Sequence, residues 1–179
     1  MAGEALPIEP PIAKAYGCVF CVTGKELTVA QHIERVCEDT RAIVARRLRT
    51  KTIEGKPKNV EEILYPGYTF FESPVDNDIY RALSNDGSII AVLSSGTWGW
   101  QLYGNDAKVV QWLFSYDGFL PFSQAIKEGD WIHLVSGPLK DLETQILCFD
   151  KHRKNALVEI PLCGRLVKTW LKYELIEKV

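Results

Sequence analysis

The chain has 179 residues, 46% of them apolar and 25% charged, with a net charge of −2 and a pI near 6.0. This balance excludes a disordered chain and leaves room for one ordinary domain or two small ones. It also excludes a basic field over the whole protein, so any nucleic acid has to be met by a local patch.

The five cysteines, Cys18, Cys21, Cys37, Cys148 and Cys163, are odd in number and irregular in spacing, unlike a secreted disulfide framework. No apolar run approaches the roughly 20 residues that span a bilayer. Residues 1–15 carry prolines and alternating charge where a targeting signal would have a basic end and an apolar stretch, so they read as a flexible lead. The expectation is a cytoplasmic chain without membrane contact.

Residues 16–22 (YGCVFCV) read as a buried strand. Thr23 and Glu26 have capping-box spacing, and a helix to about Cys37 follows with Leu27, Ala30, Ile33 and Val36 or Cys37 on one face. Residues 41–49 (RAIVARRLR) fit strand or helix, with strand preferred because a basic loop containing glycine and proline follows. From Arg41 to Lys58 there are seven Lys or Arg against one acid, Glu54. Residues 64–72 turn at Pro66-Gly67 into an aromatic strand. Residues 77–83 read as a short helix, 89–93 as a strand, and 105–114 as a helix capped by Asn105 or Asp106. The order is β-α-β-β-α-β-like with one extra helix, a ferredoxin-like arrangement.

The texture changes near Gly118. Past Asp130, the runs WIHLV, TQILCF, ALVEIPL and VKTWLKYELI alternate with turns, as in a small SH3-like barrel. Residues 151–155 (KHRKN) form a basic hairpin tip between two of them.

Several motifs carry a family resemblance. Thr23-Gly24-Lys25-Glu26 and Leu64-Tyr65-Pro66-Gly67-Tyr68 resemble two signatures of the NusG N-terminal domain. Glu128-Gly129-Asp130, Ser136-Gly137-Pro138-Leu139 and Gly164-Arg165, with the run through Leu171 and Glu177 to Lys178, resemble a KOW domain. The order and spacing of these motifs cover nearly all of the chain. The resemblance implies an α+β fold: a ferredoxin-like NusG N-terminal domain at 16–117, a linker at 118–126 and a small all-β KOW barrel at 127–179. One departure is Thr144, where general NusG proteins usually have glycine. Residues 150–156 (DKHRKNA) are similar to the corresponding stretch of LoaP, a specialised antitermination branch of the family.

What the resemblance implies is a monomeric factor of transcription elongation that needs no catalysis, metal or cofactor. Its first domain would bind the clamp helices of RNA polymerase through Tyr16, Tyr65 and Tyr68, aromatics that give large contact area at low entropy cost. The alternative is that these are ordinary core or strand residues. Its KOW domain would hold an RNA hairpin through Lys140, Lys151, His152, Arg153 and Lys154, by phosphate pairing and by His152 stacking or hydrogen bonding. The alternative is a solvated charged turn. The Arg41 to Lys58 run fits either a nucleic-acid face or a solvated face.

Cys18 and Cys21 have no second close pair to complete a zinc site and do not open a helix as a redox pair would. They read as buried thiols. Cys37, Cys148 and Cys163 read as core, His32 as helix surface and His133 as a strand position; Trp98 and Trp100 read as core before interface. Two other readings stand beside antitermination. One is a general NusG whose barrel meets Rho or a small ribosomal subunit protein. The other is a KOW-bearing RNA-binding protein indifferent to polymerase.

Overall fold

A computed structural model describes residues 13–96 and 99–177. Residues 1–12 of the expected lead, Trp98 and Lys178 lie outside the described residues. Among the described residues the architecture is mixed α+β, mostly sheet with four α-helices.

Strand β1 (Lys14–Cys21) lies inside a four-stranded antiparallel sheet with β2 (Arg41–Ile43), β5 (Tyr68–Pro74) and β6 (Ile89–Leu93), in the order β2-β5-β1-β6. It starts two residues before the expected strand, because Lys14 and Ala15 pair with Pro74 and Ser73. Successive side chains point to opposite faces of a strand. Val19, Cys21 and Phe71 therefore pack with α1 (Glu26–Val36) and α2 (Ile79–Leu83) on one side. Cys18 and Phe70 pack with α3 (Gly104–Ser115) on the other.

The buried stripe of α1 is Val29, Ala30 and Ile33, with Cys37 just beyond its end. Leu27 and Val36, expected on that face, are exposed. Ala30, Ile33 and Cys37 are buried as expected, while Val29 takes the place given to Leu27, next to the buried Glu26 at the helix start. No side chain caps α1, so the expected Thr23 cap is absent. Nor does Asn105 or Asp106 cap α3, whose N-cap is Tyr103. Asp106 instead accepts from Ser95 Oγ at 2.8 Å and from the backbone N–H of Cys163 at 3.0 Å.

The basic stretch, expected as a strand and then a loop, is a long hairpin of β3 (Arg46–Ile53) and β4 (Lys56–Ile63). Its two-residue turn, Glu54-Gly55, has positive φ at both positions (53° and 75°), the geometry that matches strand twist. β7 (Phe119–Leu120) adds to it in parallel, making a three-stranded sheet.

The last stretch forms a five-stranded sheet, in the order β10-β11-β12-β8-β9. Its strands are β8 (Ser123–Glu128), β9 (Trp131–Ser136), β10 (Ile146–Asp150), β11 (Asn155–Leu162) and β12 (Arg165–Leu175). All four runs expected as strands are present. β11 alternates strictly, burying Ala156, Val158, Ile160 and Leu162. Residues 118–126, expected as a linker, instead hold β7 and the first part of β8. Between β9 and β10 lies a short helix, α4 (Pro138–Asp141). Gly137 precedes it with φ +91°, and a Cβ there would sit 2.8 Å from Ser123 Cα, so the turn requires glycine.

One hydrophobic cluster runs through both parts of the molecule. It contains Cys18, Tyr65, Phe70 and Leu113 together with Leu139, Ala156, Val158 and Tyr173. The five-stranded sheet therefore packs directly on the first segment, as cores do when apolar faces have no other cover. No helix among the described residues is long and apolar enough to cross a membrane.

Candidate functional site

The two motifs of the first segment meet at one buried carboxylate. Glu26, 1% exposed, accepts from Gly24 N through Oε2 (2.9 Å) and from Gly67 N through Oε1 (2.7 Å). Gly67 has φ +84°, and a Cβ there would lie 2.9 Å from the Phe20 ring. Helix start and Pro-Gly turn are thus fixed together, and the turn sets Tyr65 and Tyr68.

Tyr68 is half-buried against Phe20, with ring centroids 5.3 Å apart. Tyr16 is half-buried against Phe114, at 5.5 Å. Tyr65 is 3% exposed, edge-on to Phe70 at 6.2 Å, and its hydroxyl finds no hydrogen-bond partner among the described residues. Burial pushes its phenol well above the ordinary tyrosine range. The three tyrosines all border the cluster shared by both segments, and Tyr65 lies within it.

Polar contacts fasten the same interface. Trp112 Nε1 donates to Asp141 Oδ2 at 3.1 Å, and the Tyr116 hydroxyl makes a short hydrogen bond to the same oxygen. Arg47 Nη1 donates to Trp170 O at 2.6 Å and to Thr169 Oγ1 at 3.0 Å. Cys163 lies beside Cys18, whose thiol is pushed well up by burial and then by a hydrogen bond with Cys163. Cys18 and Cys21 sit in different clusters on opposite faces of β1, which keeps them from acting as one site. Cys37 is buried; Cys148 is exposed and Cys163 half-buried, so those two are not core as expected.

The basic residues converge on a groove of about 830 Å³. One wall is the hairpin strand β3, with Arg47, Arg49 and Thr50. The other is the turn between β10 and β11, with His152, Arg153 and Lys154, together with Lys168, Trp170 and Lys172 of β12. The turn is shaped by Asp150, whose Oδ1 accepts from Arg153 N at 2.9 Å, and by a positive φ of 54° at Lys154. His152, Arg153 and Lys154 are all exposed.

Lys140 and Lys151 are not part of this groove. Lys140 Nζ pairs with Glu143 at 2.7 Å, and Lys151 makes a short hydrogen bond to the Asp130 carbonyl. The structure therefore gathers three of the five expected RNA-facing residues and adds a wall from the Arg41 to Lys58 run.

Glu62, on β4, faces Arg47, Arg49 and Lys51 at 3.1 to 3.2 Å. Burial alone would raise its carboxyl, but the hydrogen bonds from Lys51, Arg49 and Arg47 outweigh that and hold it at about 2. One acid restrains three cations, so the β3 face stays net positive. Lys172 lies over the Phe122 ring at 5.6 Å, and its ammonium is pulled down by burial and by repulsion from Lys154.

Sequence reasoning missed Lys168, Trp170 and Lys172. Their alternation in the last strand is the available signal, since alternate residues share a face. His32 is mostly buried near Asp86 (3.7 Å), whereas His133 is exposed beside Glu128 (3.5 Å). Trp100 is core, donating to Asn77 O at 3.1 Å.

No protein-family model matches the chain, and no curated protein matches it. Among solved structures it is similar to one described as "Domain interaction in Thermotoga maritima NusG". Identity is 20%, the TM-score is 0.50, and the match covers 89% of this chain and 94% of that one. The fold is NusG-like. A further similar structure is the MjSpt4:Spt5 complex in conformation B, with 12% identity, a TM-score of 0.35, and coverage of 88% of this chain and 91% of that one.

Proposed function

We propose that this chain is a transcription elongation factor of the antitermination type. Residues 16–117 form its polymerase-binding domain and 127–179 a KOW-type barrel, in the cytoplasm. Tyr16, Tyr65 and Tyr68 contact the clamp helices of RNA polymerase. The tip around His152, Arg153 and Lys154 holds an RNA hairpin, with Lys140 and Lys151 at its margin. No catalytic step is needed, because the factor acts by shifting the balance between paused and active polymerase.

The observation that carries this reading is the Tyr65 hydroxyl, buried with no hydrogen-bond partner among the described residues at the turn whose motif resembles the NusG signature. A buried polar group left unpaired costs about 1–3 kcal/mol. Retaining it makes physical sense if Tyr65 has a partner in another state of the molecule. The T. maritima NusG structure is described as one of domain interaction, and the two segments here also interact. The reading follows that Tyr65 becomes available when the cluster shared by the two segments opens.

The test is retention of the full chain on immobilised RNA polymerase, with Tyr68→Ala as the variant because Tyr68 is half-exposed. Retention of the wild type and a several-fold loss for the variant are expected; absence of retention overturns the proposal. Read-through of a terminator placed behind an RNA hairpin separates the antiterminator from a general NusG, which would stimulate Rho-dependent release instead.

A further inference from the structure

The groove between β3 and the barrel joins basic residues that are more than a hundred positions apart in the chain. Arg47 and Thr169, which touch at 3.0 Å, are separated by 122 residues. Six cations line it: Arg47, Arg49, Arg153, Lys154, Lys168 and Lys172. The only carboxylate among its lining residues is Asp150, and that side chain is engaged in shaping the tip turn. Arg49 has 53% of its side chain exposed and Lys168 61%, so both heads reach solvent despite their acidic neighbours. Trp170 is 42% exposed on the same wall, an indole that the core does not absorb.

Each wall sets out its charges by strand geometry. Arg47 and Arg49 occupy alternate positions of β3, and Lys168, Trp170 and Lys172 alternate positions of β12. Alternate residues of a strand share a face and recur about every 6.7 Å. Two facing rows of cations with an aromatic between them suit a chain of phosphates carrying flat bases. Lys154 and Lys172, held close enough to repel one another, gain from an anion placed between them.

We propose that this groove is a composite nucleic-acid site. Arg49 of the first segment and Lys154, Lys168 and Lys172 of the second clasp the phosphodiester backbone, and Trp170 lies against a base or sugar. The inference rests on the RNA-binding reading of the tip and extends it to a second wall that the barrel alone does not supply. Arg47 ties the two walls together through its contacts with Thr169 and Trp170.

Binding of the full-length chain to a fluorescein-labelled RNA hairpin, and to a DNA hairpin of the same sequence, tests this by anisotropy across a salt series. Arg49→Ala and Lys168→Ala should each weaken binding roughly 3- to 10-fold and lower the salt slope by about 1. Trp170→Ala should weaken binding with little change in slope. Circular dichroism establishes that each exposed-site variant is folded. Equal affinity for the two hairpins identifies backbone recognition, and preference for the RNA hairpin identifies RNA as the natural source; either supports the groove. If Arg153→Ala and Lys154→Ala weaken binding while Arg49→Ala and Lys168→Ala leave affinity and slope unchanged, the site is confined to the tip and the composite groove is wrong. If the wild type binds neither hairpin at physiological salt, the RNA-binding reading falls together with it.

Discussion

Glu26 Oε1 accepts a hydrogen bond from Gly67 N at 2.7 Å, across 41 residues of chain. The contact turns two short sequence motifs into one structural unit. Glu26→Ala would leave two backbone donors unpaired and a void behind, at a cost of about 2–4 kcal/mol. Glu26→Gln keeps one acceptor oxygen and should lose about half as much. Urea denaturation of both variants checks the order; equal stability of Glu26→Ala and the wild type would show that the junction contributes nothing.

Tyr65→Phe removes only the hydroxyl that has no hydrogen-bond partner among the described residues. The variant should be as stable as the wild type or more stable by about 0.5–1 kcal/mol, because a buried unpaired group disappears. It should also bind polymerase less well, since the same hydroxyl is proposed to be used there. Thermal melts and polymerase retention read the two effects separately.

Glu62 governs an acid-side stability term. Its carboxyl is held at about 2 when folded against an ordinary 4.5. A depressed folded value means that the contribution is fully present above about 4.5 and is lost as pH falls through about 2. Glu62→Gln should therefore be less stable than the wild type at pH 7, with the gap closing between pH 4.5 and 2. Urea midpoints across that range test the sign.

Asp141 gathers Trp112 and Tyr116 onto one oxygen. Asp141→Ala should loosen the contact between α3 and the barrel by about 1 kcal/mol, as expected for a hydrogen bond that is partly exposed. Amide exchange in α3 should quicken, and polymerase retention should rise as Tyr65 becomes accessible. A variant with faster exchange and unchanged retention would separate interface fastening from polymerase access.

How much of this was legible in the sequence depended on which force shaped each element. Strands β1 and β11 were visible because apolar burial wrote them, whereas β6 and β9 were visible from their apolar, β-branched runs although few of their side chains are buried. The face of α1 was read at Ala30, Ile33 and Cys37 but misread at Leu27, where Val29 is the buried residue, next to Glu26, a buried acid bound to Gly67. The β3–β4 hairpin was half missed, since its pairing rests on Arg47, Arg49 and Lys51 facing Glu62 and leaves no apolar pattern. Strand β8 was missed because its pairing partners, β12 and β9, lie later in the chain. For the site, both basic runs were visible, but their meeting was not. Lys140 was expected to join the tip from the loop after Gly137-Pro138, whereas it lies in a short helix there and pairs with Glu143 just beyond it.

Between Leu120 of β7 and Ser123 of β8 there are only Pro121 and Phe122. Fully extended, that leash reaches roughly 10 Å. One end is stitched to β3 and the other to β12 and β9. The barrel therefore cannot swing away as a ball on a string. Release beyond that reach has to unzip Phe119 and Leu120 from Arg46 and Arg47 first, so a two-rung ladder acts as the latch on the whole molecule.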